Sequence, residues 1–156
     1  MGIEAPTARV LKAGKRAIVL GMKQKPTLTL EDVRGMASAA ETEALAYAWA
    51  VSIAIVDDGG HLLWLQRLDG AAPISAQIAP AKAHTAALGR RESKVYEDMI
   101  NQGRTSFLSA PGLHALLEGG VPILVDGQCV GAVGVSGVKS AEDAQIARAA
   151  IAALKA

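Results

Sequence analysis

The chain has 156 residues, enough for one domain with a sizeable core. Its 16 Lys plus Arg balance 15 Asp plus Glu, which leaves no electrostatic footprint for nucleic acid. The single cysteine excludes an internal disulfide and a multi-cysteine metal site.

Apolar residues make up 51% of the chain but aromatics only 3%. Alanine-rich helices pack closely and bury modest area per residue, so oligomerisation is an expected further source of stability. No apolar run is long enough to span a bilayer. Glu4 and the short, interrupted apolar run Ala17–Leu20 do not read as a secretory signal, and a cytoplasmic location is expected.

Residues 1–25 read as a basic N-terminal extension or leader, with Arg9, Lys12, Lys15, Arg16, Lys23 and Lys25, ahead of one domain over 26–156. Thr29 can cap a helix whose first turn is acidic (Glu31, Asp32) and whose apolar face is Val33, Met36, Ala37, Ala40 and Ala44. That helix should run to about Tyr47. Val51–Val56 reads as a strand, Asp57-Asp58-Gly59-Gly60 as a turn, and His61–Leu68 as the returning strand. Pro73 suits a helix start, and Ile74, Ile78, Ala81, Thr85 and Leu88 predict its buried stripe, with a kink or split at Pro80. Lys82 is the only formal charge between Asp69 and Arg90. Residues 90–102 suggest a short surface helix. Residues 104–117 read as loop, with a short strand at Phe107–Leu108.

Gly119–Gly137 organises the rest. Asp126-Gly127 between β-rich runs predicts a hairpin with a type I′ turn. Regular alternation puts Val121, Ile123 and Val125 on a face with Gln128, Val130 and Ala132, and Leu124 opposite with Cys129, Val133 and Val135. Both faces are mostly apolar, so helices or another subunit should cover each. Gly131 and Gly134 mark places where a helix, a backbone or a ligand comes close. Cys129 reads as an inert buried thiol. Ser140-Ala141-Glu142-Asp143 starts a final helix with Ala144, Ala147, Ile151 and Leu154 inward. Helix, hairpin, helices, hairpin, helix is an α+β order: an antiparallel sheet with helices packed on it.

Five motifs occur in order. They are Val56-Asp57-Asp58-Gly59-Gly60-His61, Arg67-Leu68-Asp69-Gly70-Ala71, Ala81-Lys82-Ala83-His84-Thr85-Ala86, Gly119-Gly120-Val121-Pro122 and Gly131-Ala132-Val133-Gly134-Val135-Ser136-Gly137. Together they resemble the GlcG/HbpS family, which includes the C-terminal domain of PduO-type proteins, from about Leu28 to Ala153. The resemblance implies a profilin-like, PAS-like sandwich with a central antiparallel sheet, in homo-oligomers built from dimers. Some members bind haem and serve redox sensing or haem handling; others sit in catabolic pathways for small molecules. His84 stands where the family often has an aromatic.

Three functions are therefore expected candidates. The first is a small-ligand or haem-binding protein, with His84 and His114 as donors and His61 as a surface imidazole. The second is a cofactor-independent enzyme on a small organic acid or aromatic-pathway intermediate. Its parts would be Lys82 as cation or base, Asp69 as its partner, the backbone N–H groups of Gly119, Gly120 and Val121 as an anion cradle, and Arg104 as a carboxylate clamp. The third is an oligomeric scaffold without a ligand. Haem is the one cofactor expected; the three histidines have no close metal-ligand spacing, so no metal is expected.

Overall fold

The computed structural model describes Gly21 and residues 23–154, so the extension read over 1–25 lies almost wholly outside it. The elements run α1 (Leu30–Ala46), β1 (Ser52–Asp57), β2 (Leu62–Arg67), α2 (Ser75–Gly89), α3 (Lys94–Asn101), a 3-10 helix (Thr105–Ser109), β3 (Gly120–Val125), β4 (Gln128–Ser136) and α4 (Ser140–Ala152). The strands form one antiparallel sheet in the order β2-β1-β4-β3. The fold is α+β, as the element order predicts. Among the described residues no helix is long and apolar enough to cross a membrane.

One face of the sheet carries α1 and α4 over a core of Met36, Ile53, Ile55, Ile123, Val133, Val135 and Ile146. The other carries α2 over a thin layer of Ala54, Val56, Ala79, Ala83, Ala86 and Ala132. The start of α1 is a capping box: the Asp32 N–H donates to Thr29 Oγ1 (3.2 Å) and the Thr29 N–H to the Asp32 carboxylate (2.8 Å). All five residues predicted for its apolar face are buried.

The β3–β4 turn has positive φ at Asp126 (49°) and Gly127 (74°), as a type I′ turn requires. The predicted faces hold only next to it. The register shifts between Ile123 and Leu124, so Ile123 pairs with Gly131 and Val121 with Val133. This bulge reverses the alternation along the rest of β4. Val133 and Val135 join Val130, Val121 and Ile123 beneath α1 and α4, while Ala132 faces α2.

The stripe predicted for α2 is also corrected. Of its five residues only Thr85 is fully buried; Ile74 and Leu88 are exposed, and the buried row is Ser75, Ala79, Lys82, Ala83 and Ala86. The cause lies in the sheet. Gly120 and Gly134 are cross-strand partners directly beneath α2. A Cβ on Gly134 would stand 2.1 Å from the Ala79 carbonyl oxygen, and one on Gly120 would stand 2.2 Å from that of Lys82. With helix backbone seated on sheet backbone, only small side chains fit between, and larger aliphatics turn outward. α2 continues through Pro80 without the predicted split. The strand expected at Phe107–Leu108 is 3-10 helix instead; no sheet edge pairs with it, and Phe107 packs edge-on against Tyr96 (5.6 Å).

Gly134→Ala should therefore cost at least about 3 kcal/mol, the upper part of the usual overpacking range, because the obstacle is helix backbone. Urea unfolding checks this; a midpoint within error of the parent would contradict the close contact.

Candidate functional site

Two groups of polar residues meet α2, one inside the protein and one outside. The inner group centres on Lys82. Its stem follows the buried row of α2 and its ammonium ends between β4 and the first turn of α4. There Nζ donates to the Val135 carbonyl oxygen (3.0 Å) and to Asp143 Oδ2 (2.9 Å), and both side chains are 3% exposed. Asp143 Oδ1 accepts the Val138 N–H (3.2 Å). Burial pushes the Asp143 carboxyl above its ordinary range, while the hydrogen bond and charge of Lys82 pull it back.

The partner of Lys82 is thus Asp143, not Asp69. Asp69 is exposed in the turn after β2, beside a shallow depression with Glu41, Trp49 and Leu68. The predicted anion cradle is likewise built into the interior. The Gly120 N–H donates to Ser93 Oγ (2.9 Å), the Gly120 carbonyl accepts the Ser93 N–H (3.0 Å), and the Gly119 carbonyl accepts the Val135 N–H (3.0 Å). Val121 is buried in β3 opposite Val133. A Cβ on Gly119 would lie 2.8 Å from Lys82 Nζ, so the glycine makes room for the ammonium. Asp143 and Ser93 were missed as members of this group. Asp143 had a legible signal: it lies on the same stripe as Ile146, Ala147 and Ala150, where a carboxylate needs a buried partner.

The outer group centres on His84 and His114. His84 is half-buried, with Nδ1 3.2 Å from the Gly60 carbonyl oxygen. A carbonyl only accepts, so Nδ1 is the donor, and in the neutral ring Nε2 is then the atom with the free lone pair. Gly60 has φ 80°, and a Cβ there would stand 2.4 Å from His84 Nδ1. His114 comes from the loop after the 3-10 helix. Its N–H donates to Thr85 Oγ1 (3.0 Å), and the Thr85 hydroxyl donates to the His114 carbonyl. One hydroxyl therefore pins the loop to α2 and brings the two imidazoles to 6.2 Å between centroids, with planes 32° apart.

His114 is exposed, and its ring has no hydrogen-bond partner among the described residues. It borders a groove of about 420 Å³ walled by Ile100, Leu108, Leu113 and Leu117. Glu97 also lines the groove, its carboxylate accepting the Glu118 N–H. Arg104 lies outside the lining, exposed at the start of the 3-10 helix with its guanidinium 4.7 Å over the Phe107 ring. His61 is exposed on the neighbouring hairpin, with Nδ1 3.1 Å from the Asp57 carboxylate.

Residues 28–152 match the family described as "Haem degrading protein HbpS-like". The chain belongs to the GlcG/HbpS family. It is 56% identical to Protein GlcG of Escherichia coli K12 over 114 residues, which is 73% of this chain and 84% of that protein. A double-mutant HbpS of Streptomyces reticuli superposes with a TM-score of 0.79 at 33% identity, over 94% of this chain and 99% of that one. The crystal structure titled "PduOC:Heme Complex" superposes with a TM-score of 0.74 at 27% identity, over 82% of this chain and 95% of that one. The GlcG/HbpS match spans both groups of residues that meet α2 and excludes the first 27 residues.

If the Lys82–Asp143 pair is structural, Lys82→Ala should cost about 3–5 kcal/mol by leaving a buried carboxylate unpaired. The double variant Lys82→Met, Asp143→Leu should recover most of that loss. Urea unfolding of the three proteins decides; a Lys82→Ala protein as stable as the parent would remove the structural role.

Proposed function

We propose that this chain is a haem-binding protein of the GlcG/HbpS type that serves haem handling or redox sensing. The observation that carries the reading is His114, an exposed imidazole on the rim of an apolar groove, its nitrogens unpartnered among the described residues. Haem needs an axial donor and apolar walls, and the residues present fit both needs. His114 would supply the axial nitrogen, while Ile100, Leu108, Leu113 and Leu117 would cover the ring. Arg104, close in sequence to the groove residues Ile100 and Leu108, would offer its charge to a carboxylate of the ligand. The bound group would contribute a redox-active iron. The chain's part is to hold it and to limit its contact with water. The family described as haem-degrading and the haem complex of a structural neighbour support the same ligand.

The enzyme reading lacks such an observation. Lys82 is buried and committed to Asp143, which leaves a substrate no approach to its nitrogen. The homo-oligomer reading draws support from large apolar side chains on the surface: Leu63 and Leu65 on edge strand β2, Ile74 and Leu88 on α2, and Leu108. A second copy would cover them.

Haemin titration of the protein without a tag, followed by absorbance, tests the ligand. The expected result is a sharp Soret band that saturates at one haem per chain or per dimer and is lost or shifted in His114→Ala. A broad change without saturation, or an unchanged band in His114→Ala, would refute this reading.

A further inference from the structure

The two imidazoles on the outer face of α2 are placed for a chemistry that haem binding does not require. We infer that His84 and His114 together form a chelating site for a divalent transition-metal ion of the copper, nickel and zinc group. A metal bound to imidazole sits about 2.0–2.1 Å from the nitrogen, hence roughly 3 Å from the ring centroid. Two rings sharing one ion have centroids about 6 Å apart when trans and about 5 Å apart at a tetrahedral angle. The observed separation is 6.2 Å, so a trans pair needs little adjustment and a tetrahedral one needs the exposed His114 ring to swing about 1 Å toward His84.

The tautomer of His84 points the same way. The Gly60 carbonyl engages Nδ1 and leaves Nε2 as the ligating atom of the neutral ring, the arrangement that orients a metal-binding histidine. The pair is also preorganised. His84 lies on a rigid helix, and Thr85, the next residue, grips the backbone of His114 from both sides. Imidazole donors select copper, nickel and zinc over magnesium and calcium, and affinity among them peaks at copper. Water would complete the coordination, so the site stays open to a further ligand. The twenty-nine residues between the two histidines hide the pair from any reading of sequence spacing.

His114 would serve both this ion and haem, so the two ligands should compete. The sites differ in one requirement: the ion needs both imidazoles, whereas the proposed haem site needs His114 alone. The probe is Cu²⁺, added to chelator-treated protein without a tag and read by electron paramagnetic resonance and by titration calorimetry. The expected result is one ion per chain with hyperfine splitting from two imidazole nitrogens. Affinity should fall more than about tenfold in both His84→Ala and His114→Ala. His61→Ala, which removes the exposed imidazole on the neighbouring hairpin, should leave binding unchanged. Binding that survives His84→Ala, that is lost in His61→Ala, or that shows fewer than two nitrogens would overturn the inference. Failure of haemin to saturate, with the copper result as expected, would refute the haem reading and leave this one standing.

Discussion

The contact on which the structure depends is between two backbones. α2 rests on the Gly120–Gly134 pair with no side chain between them. This distance dictates the alanine layer on that face of the sheet, and it excludes Ile74 and Leu88 from the core. It also sets the height of Lys82 above the sheet, where the ammonium reaches the Val135 carbonyl and Asp143. The thick core under α1 and α4 supplies most of the buried apolar area. The thin layer under α2 supplies position.

A charge pair inside so small a domain is not there for its own net energy. Desolvating a lysine and a carboxylate offsets much of their attraction, and such pairs stabilise less than good apolar packing would. What the pair does is join α2 to the first turn of α4 through the interior, across a stretch where the neighbouring backbone is glycine. Asp143 also receives the Val138 N–H, so the chain leaving β4 is held by the same carboxylate. The Gly119–Val121 segment belongs to this scaffold. Its glycines are explained by what approaches them, the Lys82 ammonium and the α2 backbone.

The legible parts of the sequence were those set by local chemistry. Thr29 and Asp32 cap a helix wherever the chain goes, and Asp126-Gly127 makes its turn without help. Lys82 stood out because a charge among alanines must find a partner. Apart from the 3-10 turn at Phe107 and the unbroken helix at Pro80, the differences come from distance. The bulge beside Ile123 has no marker except Gly131, and it reversed the faces of Val133, Val135 and Ala132. The stripe on α2 followed hydrophobicity, whereas the sheet beneath selected for size. Asp69, the predicted partner of Lys82, is exposed in the turn after β2; Asp143, 61 residues from Lys82, is the one the fold delivers. His84 and His114 were each visible, but only the Thr85 hydroxyl makes them neighbours.

The interior pair and the outer imidazole stand two residues apart on one rod. Lys82 points through the helix-sheet contact to Asp143, and His84 points to the Gly60 carbonyl. A helix clamped at both of these points, and seated on backbone between them, cannot slide or roll to suit an occupant. The two imidazoles thus come from unlike supports, a clamped helix and a loop, and a single threonine hydroxyl ties one to the other.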